Sequence, residues 1–231
     1  IEARLWDDHD IPHNALMCEA VHKYGALAAV ELSHNGPASS NFYSREVPIG
    51  PVHQMTRYYP FQARAMDRED IRNLRRWHRA AALRAKQVGF DLVYVYGAHG
   101  FGAVQHFLSR RTNQRIDEYG GSLENRARLL KELIEDTKDA IGDTCAVPVR
   151  LLVDEMLGDG GVTNAEIRDV IASWPGSEHF DQHVVGPVLD SLAGLGNEVS
   201  VLAGRHQQAI AARRAHRHRH RAVVAPELLD D

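Results

Sequence analysis

An apolar run that stops at a glycine, a long polar connection and then an amphipathic helix is the pattern that most limits what this chain can fold into. Asp91-Leu-Val-Tyr-Val-Tyr96 has the length and composition of a strand, Gly97 breaks it, and His99 stands three residues beyond Tyr96. A long polar loop containing Gly120-Gly121 follows. Ser122 then opens a helix whose apolar stripe, Leu129, Leu130, Leu133, Ile134 and Thr137, runs to Ile141. Glu124 and Glu132 are expected on the same side as Arg126 and Arg128. Strand, loop and helix make one βα unit, and parallel α/β folds bind ligands at the carboxyl ends of their strands. Tyr96 and His99 are predicted at such an end.

The same rhythm repeats on either side. Asp10 is placed to cap a helix with Pro12 in its first turn, and Gly25 suits its left-handed end. Ala26-Leu-Ala-Ala-Val-Glu-Leu32 then reads as a strand buried on both faces. The parent strand of that unit is expected before residue 1, so the chain reads as a fragment. Four prolines between 37 and 66 argue against regular structure over most of that connection, and loops of this length are usually functional or mobile. Asp67, with Asp70 three residues on, caps a helix reaching about Gln87, in which Trp77 and His78 read as packing or surface. Cys145 to Val153 is a further buried strand, and Thr163 with Glu166 starts another helix.

Two charges interrupt these strands. Glu31 must be paired if buried, or else it faces water at the strand end. Arg150, in the middle of an apolar strand, is costly unless it meets an anion, a polar ring or a structural ion-pair partner.

Composition narrows the function. A net charge of -4 over 231 residues gives no electrostatic case for nucleic acid. No apolar run approaches the roughly 18 residues of a membrane helix, and no signal peptide opens the chain. Cys18 and Cys145 are the only cysteines, too few for a disulfide framework, and read as reduced thiols of a cytoplasmic protein.

Asn113-Gln-Arg-Ile-Asp-Glu-Tyr-Gly-Gly-Ser-Leu-Glu-Asn-Arg-Ala-Arg128 resembles the signature of the old yellow enzyme family of FMN-dependent oxidoreductases. Val93-Tyr-Val-Tyr-Gly-Ala-His99, His22-Lys-Tyr-Gly-Ala-Leu-Ala-Ala-Val-Glu-Leu32 and Ser122 to Arg128 are most similar to the trimethylamine, dimethylamine and histamine dehydrogenase branch. The resemblance covers residues 3 to 172. It implies a partial (β/α)8 TIM barrel, an α/β fold, spanning about the third to sixth βα units. It implies an incomplete FMN-binding segment over residues 1–172, with Glu31 and Arg150 as cofactor contacts. It implies catalytic roles for Tyr96 and His99, on a small-molecule substrate that is an amine or an activated alkene. His34 becomes a candidate neighbour of flavin or substrate, and Asn41 to Arg45 resembles a loop that covers the active site.

After Ala172 the resemblance fades, and residues 173–231 read as a divergent tail, either disordered or the product of a translated frameshift. Phe180 to Val185 is a candidate fourth strand, which would bring Asp190 to the position of an active-site Asp; Pro187 then replaces an aromatic cage residue. His216, His218 and His220 alternate with Arg, whose charges repel a cation, so no metal site is assigned. Counterparts of the family's flavin-phosphate residues and of the branch's iron–sulfur cysteines are not found. Two functions follow: an FMN-dependent oxidoreductase resembling amine dehydrogenases, or a truncated, inactive barrel fragment that does not bind flavin on its own. Exposed strand edges invite self-association, so a homo-oligomer is a further expectation.

Overall fold

A computed structural model of the chain describes residues 4–39, 44–56, 60–100, 102–174 and the backbone of 198–202. Helix α1 (Ile11–Lys23) leads through the left-handed Gly25 into strand β1 (Ala29–Leu32). Its entry differs from expectation. Asp10 makes no side-chain cap to α1; Asp7 caps the short 3-10 turn before it, and Asp10 closes the reciprocal bond of that capping box.

The proline-rich connection is not structureless. Strands β2 (Ile49–Gly50), β3 (Gln54–Met55) and β4 (Gln62–Ala65) form a small sheet in the order β2-β4-β3. Pro48, Pro51 and Pro60 all lie outside these strands, so no ladder donor is lost.

Helix α2 (Arg68–Val88) has the Asp67–Asp70 capping box and ends at the left-handed Gly89. Strand β5 (Leu92–Gly97) follows. A short helix, α3 (Ala103–Leu108), lies within what the sequence presents as continuous loop. Then come α4 (Leu123–Ile141), capped by Ser122, strand β6 (Pro148–Leu152) and α5 (Asn164–Ala172), capped by Thr163 with Glu166. The last described element is β7 (Glu198–Leu202).

The main sheet runs β1-β5-β6-β7. β5 pairs in parallel with β1 and with β6, while β7 is antiparallel to β6. The strand beside β6 therefore runs against the parallel order of a barrel wall. It saturates an edge that would otherwise template other chains.

Period-two alternation gives the parallel strands two unlike faces. Val93, Val95, Val149 and Leu151 are fully buried. They belong to one core with Leu74 and Ala85 of α2 and Leu129, Leu130 and Leu133 of α4. The alternate positions, Ala29 and Glu31 on β1, Tyr94 on β5 and Arg150 on β6, are exposed or half-buried. β1 is thus buried on one face, not on both. Its apolar run is compatible with a doubly covered strand, but among the described residues nothing layers over the second face.

Candidate functional site

The second face gathers four of the five sequence-predicted residues. On β5, Tyr94 pairs in register with Glu31 of β1, and Tyr96 pairs with Arg150 of β6. Side chains two apart on a strand share a face, so Glu31, Tyr94, Tyr96 and Arg150 line one surface across three strands. Arg150 Nη1 donates to Glu31 Oε1 at 2.7 Å over the intervening strand. With side chains 33% and 38% exposed, the pair is reached by solvent. The fifth residue, Asp190, lies outside the described residues, as do the 180–185 strand candidate, Pro187, residues 203–231 and most of the loop from Asn41.

At the carboxyl end of β5 the chain reverses through left-handed residues: His99 at φ 60°, Gly100 at 71° and Gly102 at 91°. A histidine in that region is uncommon, and such backbone clusters where surrounding structure holds it in place. Gly97 has a packing reason. A Cβ there would come within 2.7 Å of a Val104 methyl of α3. The reversal stacks the His99 ring on Tyr96, centroids 5.7 Å apart and planes 18° apart. It also joins the Tyr96 hydroxyl to His99 Nδ1 by a hydrogen bond. Tyr96 is 6% exposed and His99 open to solvent, so a buried phenol is linked to the surface through one imidazole.

His34 does not join this group. Its ring stacks on Trp77 of α2 with centroids 6.3 Å apart, and Nδ1 accepts the Gly36 N–H at 3.0 Å. Burial lowers its pKa, and the neutral ring offers Nδ1 as acceptor. Arg45 is exposed.

The 113–128 segment builds the support beneath the strand ends. Asn113 Nδ2 donates to the carbonyls of Phe107 and Tyr119, at 2.6 and 2.7 Å. Arg115 clasps Asp117 and donates to the carbonyls of Pro51 and Met66, tying the loop to the small sheet. Gly120 is obligatory, since a Cβ would lie 2.2 Å from the Arg115 carbonyl oxygen. Arg126, 1% exposed, donates to Glu166 Oε1 at 2.5 Å and to the Leu108 carbonyl. Of the expected grouping, Arg126 alone turns into the core, while Glu124, Arg128 and Glu132, four residues apart, keep to one face and Arg128 acts on the Glu132 charge. Glu132 accepts from Tyr119 and pairs with Arg75, while Arg128 donates to the Glu118 carbonyl. Tyr94 joins the face opposite Glu31, and its two-residue spacing from Tyr96 is the sequence signal for that placement.

A parallel β/α wall with its polar group at the strand ends defines an α/β scaffold, and relatives with known folds narrow it. Residues 1–175 match the NADH:flavin oxidoreductase / NADH oxidase family, and the chain belongs to that family. It is 36% identical over 174 residues to a dimethylamine dehydrogenase from Hyphomicrobium sp. (strain x), covering 72% of this chain and 23% of that protein. The structure of histamine dehydrogenase from Rhizobium sp. 4-9 aligns with TM-score 0.71 and 53% identity, over 74% of this chain and 25% of that one. A 6-hydroxypseudooxynicotine amine oxidase from Pseudomonas geniculata N1 aligns with TM-score 0.72 and 46% identity, over 75% and 26%. The chain spans about a quarter of the length of these relatives. Its fold is α/β, part of the TIM barrel of old yellow enzyme-like proteins. No helix among the described residues is long and apolar enough to cross a membrane.

A family flavin can be tested against the groups present. Glu31 and Arg150 set a carboxylate acceptor beside a guanidinium donor on an accessible face. That pattern complements a ring N–H next to a carbonyl, the pyrimidine edge of an isoalloxazine, so the donor set fits this part of the group.

Proposed function

We propose that the chain is the substrate-side portion of an FMN-dependent oxidoreductase that acts on a small amine. The observation that carries this reading is the bond between the Tyr96 hydroxyl and His99 Nδ1 on the face that also bears Arg150 and Glu31. Bound FMN would supply an acceptor for two electrons from the substrate. Glu31 would receive the ring N–H, and the Arg150 cation would stabilise negative charge on the carbonyl side. Tyr96 and His99 would orient the substrate above the ring and hold the proton that amine oxidation releases. Transfer from the Tyr96 oxygen to Nδ1 requires no rearrangement, and the exposed imidazole can pass the proton to water. Asp190 remains a candidate third member of this group. The relatives named for dimethylamine, histamine and an amine oxidase support an amine over an activated alkene.

A second reading is an inactive segment that does not hold flavin alone. It draws support from the Arg150–Glu31 bond, in which the two proposed cofactor contacts satisfy each other. Visible absorption during FMN titration separates the two. Saturable spectral change, followed by anaerobic bleaching with dimethylamine or histamine, supports the amine oxidoreductase. Absence of any spectral change leaves the inactive segment.

A further inference from the structure

On the outer layer, α2 carries Arg72, Arg75, Arg76 and Arg79 at the i, i+3, i+4, i+7 spacing that puts side chains on one helical stripe. With Asp136 of α4 they line an open cleft of about 250 Å3. Arg75 is already fixed. Its Nε and Nη2 donate to the two Asp136 oxygens at 2.7 and 3.0 Å, and Nη1 lies 3.3 Å from Glu132. Asp136, the carboxylate in the lining, is neutralised by that contact. Arg72, Arg76 and Arg79 are exposed and enter no ion pair or hydrogen bond among the described residues.

We propose that this cleft binds a multiply charged phosphate-type oxyanion, a diphosphate group, through the Arg72, Arg76 and Arg79 guanidiniums. Like charges at helical neighbours repel by roughly 0.2–0.5 kcal/mol per pair, and a bound anion turns that repulsion into attraction. Guanidinium forks match phosphate oxygens in pairs. The lining is arginine and aspartate alone, and the cleft is below the roughly 300–1,000 Å3 of apolar pockets for organic molecules. Three unpaired positive charges in so small a concavity favour a compact anion over an extended acidic segment.

Isothermal titration of the full chain with inorganic pyrophosphate at low salt tests this without involving flavin. Saturable one-site binding is expected. It should weaken at least about tenfold in Arg76→Gln/Arg79→Gln and in Arg72→Gln/Arg76→Gln, and persist in Arg84→Gln, which alters the same helix outside the cleft. Pyrophosphate should raise the melting temperature of the unsubstituted chain but not of the double variants. No saturable heat up to about 10 mM, or equal affinity in all variants, overturns the proposal. So does binding of poly-glutamate with pyrophosphate silent, which would instead make this face a dock for acidic polypeptide.

Discussion

Arg150 donates to Glu31 at 2.7 Å across the strand that separates them, so the two charges that interrupt apolar strands are each other's partner. Pairs as exposed as this one contribute about 0–1 kcal/mol to stability, because solvent screens them and ordering costs entropy. The bond is therefore poorly explained as a device for folding.

Arg150→Ala separates the two roles. Its melting temperature should stay within a few degrees of the parent. FMN affinity, followed by quenching of flavin fluorescence, should fall at least about tenfold, the loss expected for a charge-assisted contact. Unchanged affinity would remove Arg150 from the cofactor site.

Tyr96→Phe deletes the hydroxyl that meets His99 and leaves the buried ring. Amine-dependent reduction of bound flavin should slow by about 10²-fold, as for a lost proton-transfer group. FMN affinity should be unchanged. Stopped-flow absorption measures the rate and a flavin titration the affinity; parallel loss of both would mean that Tyr96 supports structure rather than proton transfer.

Arg126 and Glu166 form a buried ion pair, with side chains 1% and 11% exposed. Glu166 Oε1 also meets Arg110 Nη2 at 2.6 Å, so loss of Arg126 leaves the carboxylate one cation and removes the bonds of Arg126 to Glu166 and to the Gly121 and Leu108 carbonyls, at a cost of about 1–3 kcal/mol. Arg126→Met should lower the urea unfolding midpoint accordingly, and adding Arg110→Gln, which leaves Glu166 with no cation, should lower it further. Gly120→Ala should also destabilise, by about 1–3 kcal/mol, because its new methyl meets fixed backbone.

His78 sits between α2 and α4, bonded through Nε2 to Thr137 Oγ1 at 2.9 Å. The Thr137 hydroxyl donates to the Leu133 carbonyl, so Nε2 carries the proton of a neutral ring. Burial pushes its pKa down from 6.5 to about 4. The unfolded chain therefore binds the proton first as pH falls. Stability is intact above pH 6.5 and declines towards pH 4, by up to about 3 kcal/mol from this group. Burial lowers His34 and His106 as well, in the same sense. Urea unfolding between pH 7 and 4 should show this slope, and His78→Gln should flatten it.

The sequence by itself determined the order of the longer helices and the parallel strands, and most of their ends, but not the small sheet between Ile49 and Ala65 or the short helix α3. Asp67, Ser122 and Thr163 cap helices through local hydrogen bonds, and Gly25 and Gly89 close them in a backbone region that other residues resist. It also marked Glu31, Tyr96, His99 and Arg150 as chemically out of place or at a strand end. Tertiary structure decided what those residues meet. Register alone brings Glu31 opposite Tyr94 and Arg150 opposite Tyr96, residues more than fifty positions apart in the chain. Packing against Trp77 turns His34 away from them. The 113–128 signature was legible as a family mark, but its work as a clasp was not, since its partners at Pro51, Met66, Leu108 and Glu166 are contributed by other segments. Local sequence specifies backbone conformation through short-range sterics and hydrogen bonds, whereas the pairing of distant charges exists only once strand register has been set by burying one face of the sheet.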